Sequence, residues 1–575
     1  MATTTADPRA STPAPPLSSP QDRLTRILPL RHVVPVLLSA NAVALVAIAA
    51  GAPIYAAAIG GALIVPIALV RFRGTYLAAF IEDELAFRWY AFRHRSATVR
   101  HAPFDVPVPD GGSYGMRWDG ARLITMLRID AQPRGVTLLS PSGLNTGEMV
   151  PLTEIARCLA QFDIELASID VITTGARTSD AGPVARIYEQ ILGPLPAVAH
   201  RTVWVVLRLD PLANATAVNR RGGGSTGALR SAIVATQRVA NRLAARELTV
   251  SVLSAAEITA AVHQLTHGAD LAHLEEAEQS VEYNGIHFAT YRMIPESLGP
   301  RGLAEIWATP SLATTVTLRL RRATGIQVRT QSNAPTISVS AVVRFDARDR
   351  PARTTAPGLV SLSGKQRRGL LDHLPVDSQG PELPIDGYLG TPESLGELFI
   401  PIIGCGQVVG ADSSGQGVAM PLVGPHVRRI EIIGALLIAK QVILRAIALG
   451  ATVVVHTNRH EAWRPMVDQV GMPRALSLAS WSAGSQQASS YRGATVIVYD
   501  GIPPSMHHSD VTVMVLLSTP PPRGEDTFTP DIVLAEDPRT ANLVTVRTPD
   551  STTIVHMVAT PDEMRYLYAE PALAR

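Results

Sequence analysis

The chain has 575 residues, 46% hydrophobic and 17% charged, with a mean hydropathy of +0.16. It is long enough for two or three domains with separate cores, and too polar for a transporter of many spans. Its 51 basic residues are 49 Arg plus Lys365 and Lys440; set against 49 acidic residues they leave a net charge of +2, which gives no general basic field for nucleic acid.

Residues 1–22 are rich in Ala, Thr, Pro and Ser and read as a disordered tail without a signal peptide. Residues 23–73 read as a transmembrane hairpin. Two uncharged apolar runs, 33–50 and 54–70, flank the turn Gly51-Ala52-Pro53, and each approaches the roughly 30 Å of a bilayer core at about 1.5 Å per residue. Arg23, Arg26 and Arg31 precede the first run and Arg71 and Arg73 follow the second, so the positive-inside rule puts both termini in the cytoplasm of a plasma-membrane protein. The small residues Gly60 and Gly61 mark a face on which helices approach closely, either within the hairpin or against a partner. Residues 74–100 read as an interfacial aromatic and basic helix, in which Phe87, Trp89, Tyr90 and Phe92 are candidates for docking a partner or the lipid bilayer.

Beyond a Pro and Gly linker, residues 101–349 read as a first cytoplasmic α/β domain. Here Thr202–Leu209, the amphipathic helix Ala228–Arg246 and Leu248–Leu253 form a strand, helix, strand unit of the parallel type. Residues 350–395 are an irregular linker, and 396–575 a second α/β domain with strands at Arg429–Ile433, Ala451–His456, Ala494–Tyr499, Val511–Leu517, Asp531–Ala535 and Thr552–Val558 around the helix Ala435–Leu449. The expected fold class is thus two N-terminal transmembrane α-helices followed by α/β cytoplasmic domains with mixed, partly parallel sheets.

No chemical motif is intact. A P-loop needs GxxxxGK[ST]; Lys365 in GLVSLSGKQ is one residue too far from Gly358 and followed by Gln366, while Lys440 sits inside a helix. RGGGSTG at Arg221–Gly227 precedes a helix and could hold an anion there, but it completes no phosphate motif and reads as a glycine loop. Two GxSxG matches, at Ser113 and Ser225, lack the strand-turn-helix setting of a nucleophile elbow. His263 and His267 fall four apart on an expected helix near His273 and Glu276, and His456 and His460 precede Glu461, but no HExxH is present. His507-His508 reads as a polar loop, and Cys158 and Cys405 as buried, reduced thiols. The reading is of a protein that is not an enzyme, has no catalytic residues and uses no cofactor or metal.

Several segments resemble one family. They are YGMRWDG at Tyr114–Gly120, VWVVLRLDP at Val203–Pro211, RGGG at Arg221–Gly224, GADSSGQ at Gly410–Gln416 and ALGATVVVHTNR at Ala448–Arg459, all behind the N-terminal hairpin. In that order they resemble the EccE component of the actinobacterial type VII (ESX) secretion system. The resemblance implies a non-catalytic structural subunit of an inner-membrane protein secretion complex, assembled with EccB, EccC and EccD, with the ATPase motor in a separate subunit. The alternative from the residues alone is a membrane-tethered enzyme whose α/β domain binds a nucleotide-sugar or acyl substrate.

Overall fold

The structure, a computed structural model, describes residues 17, 30–68, 70–72, 75–77, 81 and 101–568, except 110, 131–134, 146–147, 180–181, 324–335, 352–356, 378–382, 384, 386, 425, 480–492, 505–510 and 520–528. Helices α1 (Leu30–Ala49) and α2 (Ile54–Ala68) do form a hairpin, with Ala40 and Ala57 buried in its seam. The expectation that they are transmembrane helices is corrected, because no helix among the described residues is long and apolar enough to cross a membrane. The apolar runs were counted from the sequence, but the helices do not coincide with them. Helix α2 stops after 15 residues, about 22 Å of rise against the roughly 30 Å required, and α1 takes Arg31 and His32 into its first turn.

The first sheet is built from β1 (Phe104–Pro107), β2 (Ser113–Trp118) and β3 (Leu123–Asp130), after which β4 (Thr137–Ser140) leaves for the second sheet. It continues with β5 (Ile164–Ala176), helix α3 (Pro183–Leu192), β6 (His200–Leu209), helix α4 (Gly224–Ala244), β7 (Thr249–Val252), helix α5 (Ala255–Leu265), β8 (Ile286–Met293), helix α6 (Pro300–Ala308), β9 (Ala313–Arg322) and β10 (Ile337–Ala347). The strand order β8-β10-β9-β5-β6-β3-β2-β1 is antiparallel throughout. The parallel unit expected around α4 is therefore corrected: β6 and β7 point the same way, but both pair antiparallel with β3, which lies between them. Period-two alternation makes the two faces. Val203, Val205 and Leu207 pack under α4, while Trp204 and Val206 face α5 and α7 (Gln366–Asp372).

The second sheet follows from β11 (Gln407–Ala411), β12 (Gly417–Met420), β13 (Arg429–Ile433), helix α8 (Leu436–Ala448), β14 (Val453–Thr457), helix α9 (His460–Val470), β15 (Leu476–Leu478), β16 (Val496–Asp500), β17 (Thr512–Leu517), β18 (Ile532–Glu536), β19 (Leu543–Arg547), β20 (Thr552–His556) and helix α10 (Pro561–Leu567). Its order is β15-β14-β16-β17-β13-β18-β19-β20-β11-β12-β4, with β15 to β18 parallel to one another and the remainder antiparallel. The second core draws on both sides of position 350. Leu138 of β4 pairs with Val418, and α3 buries Val184, Tyr188 and Leu192 against α8. The Val408 amide donates to the Tyr188 hydroxyl at 2.8 Å. Burial raises the Tyr188 phenol above its ordinary range, so it stays neutral.

Candidate functional site

Of the candidate docking residues, Phe87, Trp89, Tyr90 and Phe92 lie outside the described residues. Gly60 and Gly61 are both on α2 but face different surroundings. A Cβ at Gly61 would sit 3.0 Å from the Ala40 carbonyl oxygen and 3.3 Å from the Ala44 Cβ, so this glycine lets the hairpin close on itself; Gly60 has nothing within 4 Å. The outer surface of the pair is strongly apolar: Leu38, Leu45, Val46, Ile54 and Tyr55 are each more than 60% exposed. A patch of this kind marks an interaction surface.

The remaining candidates are held apart. Helix α5 ends at Leu265, so His267 lies past it in a left-handed turn (φ 48°) and its Nε2 stands 3.0 Å from Asp346 Oδ2. His273 Nδ1 is 2.7 Å from Asp270, and Glu276 accepts the Arg367 amide at 3.0 Å. His456 stacks on Tyr499 at 5.2 Å and Glu461 pairs with Arg464. No metal-holding group of three His, Cys, Asp or Glu occurs among the described residues. His507 and His508 lie outside them. The RGGGSTG stretch is a tight corner: a Cβ at Gly227 would lie 2.1 Å from the Val218 carbonyl oxygen, and Arg221 clamps Asp163 at 2.8 and 3.1 Å. Ser225 sits in the first turn of α4, and Ser113 opens β2 with its hydroxyl donating to Asp105. In GLVSLSGKQ, Gln366 works structurally, its amide group exchanging two hydrogen bonds with the Thr290 backbone.

The face of the first sheet under α7 carries a charge cluster. Asp170, fully buried on β5, accepts from Arg319 Nε and Nη2 at 2.8 Å each and from Arg208 Nε at 3.1 Å. The same arginines donate onward to the carbonyls of Asp372 and Leu374. Burial alone would raise the Asp170 carboxyl, but Arg319 and Arg208 outweigh it and hold it well below the usual range. Burial and then Arg319 push His373 beside it down to about 3, so this imidazole is neutral at pH 7. These groups saturate one another and fasten α7 to the sheet.

Sequence reasoning missed a cleft between the two sheets. Two adjoining cavities of about 520 and 670 Å³ share Arg201, Thr202, Ile403 and His426 in their walls. The Arg201 guanidinium stacks 4.0 Å from the centre of the Trp307 ring, and its hydrogen bond to the Thr173 hydroxyl is long at 3.4 Å. Its Nε is buried without a hydrogen-bond partner among the described residues, and burial lowers its pKa to about 10. A desolvated cation with no carboxylate against it among the described residues is suited to take a carboxylate or phosphate oxygen. No motif signals it, because Arg201 gains its setting from Trp307, more than a hundred residues away.

Arg201 and Thr202 of this cleft lie within a segment that matches a known family. Residues 197–293 match the family described as "Putative type VII ESX secretion system translocon, EccE". ESX-1 secretion system protein EccE1 of Mycolicibacterium smegmatis is 25% identical over 329 residues, covering 56% of this chain and 64% of that protein. ESX-2 secretion system protein EccE2 of Mycobacterium tuberculosis is 25% identical over 362 residues, 62% of this chain and 63% of that one. ESX-5 secretion system protein EccE5 of Mycobacterium marinum is 26% identical over 288 residues, 47% and 66% respectively. The chain thus spans a little under two thirds of the length of these relatives.

Proposed function

From a chain related to the EccE proteins of type VII ESX secretion systems, we propose a non-catalytic structural subunit of such a secretion complex, associated with a membrane and assembling with its EccB, EccC and EccD components. The observation that carries this reading is the match to EccE over 197–293, which takes in β6, α4, β7, α5 and β8 of the first sheet. Two features support it. Asp170, Arg208 and Arg319 of that sheet are engaged in a structural charge cluster, and the apolar outer surface of the α1–α2 hairpin offers area for burial against lipid or partner helices.

Native-gel electrophoresis of detergent-solubilised membranes tests the assembly. Co-migration with a complex of megadalton scale is expected, and migration as a free monomer overturns it. A membrane-tethered enzyme would instead show thermal stabilisation by a nucleotide-sugar or acyl substrate, whereas the structural reading expects no shift.

A further inference from the structure

The second sheet carries its own chemical history. Helix α8 leaves the central strand β13, and β13 lies between β17 and β18, parallel to both. Counting β13, β14, β16, β17 and β18 as strands one to five, the order across the sheet is 2-3-4-1-5, with β15 added at the edge. One large class of P-loop nucleotide-binding domains has this order, with the phosphate loop after strand one and a magnesium-binding aspartate closing strand three. Both positions are filled here by related residues. Gly434-Ala-Leu-Leu-Ile-Ala-Lys440-Gln441 runs from β13 into α8 with the spacing GxxxxxK, the second glycine replaced by Ala439 and the hydroxyl residue by Gln441. The apolar strand Val496–Asp500 ends in Asp500.

The local physics explains why no phosphate site results. A working P-loop holds its residues as an open turn whose amides surround the phosphates, with the lysine reaching the terminal ones and the hydroxyl on magnesium. Here Leu436, Leu437, Ile438 and Ala439 are helix-compatible residues without a glycine, and α8 begins at Leu436. The turn that remains is Gly434 (φ 139°) and Ala435. Over it lies Glu536 from the end of β18: its Oε2 accepts the Ala435 amide at 2.7 Å, and a Cβ at Gly434 would meet the Glu536 Cβ at 2.6 Å. A carboxylate against the first amides of a helix fills the electrostatic role of a phosphate.

The other two landmarks are also internally engaged. Asp500, 1% exposed, accepts from Thr457 Oγ1 at 2.9 Å, Trp463 Nε1 at 2.8 Å and Arg459 at 2.5 to 3.1 Å, which occupies the oxygens a magnesium ion would need. Lys440 is 8% exposed and makes no hydrogen bond or ion pair among the described residues; its ammonium lies 5.9 Å from the centre of the same Trp463 ring. An ammonium buried without an anion is what a P-loop lysine becomes when its phosphate is gone.

We infer that the second sheet is a P-loop nucleotide-binding module that no longer takes nucleotide, with the Glu536 carboxylate standing in cis where a phosphate would sit. This stands on β13–β18 alone and holds or fails independently of the secretion-complex reading.

Hydrogen exchange on the purified full-length chain tests it, with Mg-ATP and inorganic pyrophosphate as probes. The wild type should show no change at 434–441 with either probe. Glu536→Ala should exchange about tenfold faster there, and millimolar pyrophosphate should reverse the gain. Protection of the wild type by micromolar Mg-ATP overturns the inference. So does a Glu536→Ala chain with intact protection at 164–176 but no response to pyrophosphate. Should Glu536→Ala fail to fold, Glu536→Gln decides, since it keeps the acceptor and removes only the charge. Faster exchange at 434–441 in that variant, slowed by pyrophosphate, supports the inference, and exchange identical to wild type overturns it.

Discussion

Asp170→Asn isolates the charge that fastens α7 to the first sheet. The substitution keeps the shape of the side chain but leaves the buried guanidiniums of Arg208 and Arg319, 4% and 5% exposed at the side chain, facing a neutral amide. Removing one partner of a buried ion pair costs about 3–5 kcal/mol, because the survivors keep their desolvation penalty. At about 2–4 °C per kcal/mol for a domain of this size, the melting midpoint should fall by roughly 6–20 °C. Differential scanning calorimetry at pH 7 reads it directly. The double variant Asp170→Asn/Arg319→Met should recover part of the loss, since it withdraws one of the two cations that face the amide. The pH dependence has a definite sign. The folded carboxyl is held below its unfolded value of about 3.9, so its contribution is complete above that value and is lost as pH falls through the folded one. The gap between wild type and variant should therefore be constant from pH 7 to 5 and narrow below about 4. A single variant melting within 1 °C of wild type at pH 7 would refute the argument that this carboxylate neutralises two buried cations.

Three further outcomes follow from the geometry. Tyr188→Phe strips the acceptor from the buried Val408 amide and should cost about 1–3 kcal/mol, measured by chemical denaturation, while leaving the first sheet's exchange protection intact. Gly61→Leu should splay the α1–α2 hairpin, read as lost disulfide crosslinking between cysteines placed across its seam, whereas Gly60→Ala should leave crosslinking unchanged. Cys405, whose thiol burial pushes up to about 11, should resist iodoacetamide at pH 8 in the folded chain and react on unfolding.

The strands of the second sheet were legible because apolar β-rich runs are bounded by breakers; the expected strand Arg429–Ile433 and the observed one coincide, and α8 begins one residue inside the expected helix. Pairing partners were not legible. The register that sets Gly175 opposite Thr314 joins residues 139 apart, and nothing local in Thr202–Leu209 says that its neighbours run antiparallel. The hairpin was legible but its helix lengths were not, because an apolar run does not fix where a helix stops, and Pro66 lies only two residues before α2 ends. In the sequence Lys440 reads only as a residue inside a helix. Its meaning emerges only with the strand order and with Glu536, 96 positions away, both products of the fold.

Strand β4 has a consequence for how the chain is made. Thr137–Ser140 must wait for Gly417–Met420, and the stretch from 140 to 417 is 277 residues. At about 5–20 residues per second, synthesis leaves that edge without its partner for roughly 14–55 s, long after the strands around it have emerged. A nascent chain stalled near position 400 therefore presents Leu139 and an open row of backbone groups to whatever chaperone or neighbouring polypeptide is at hand.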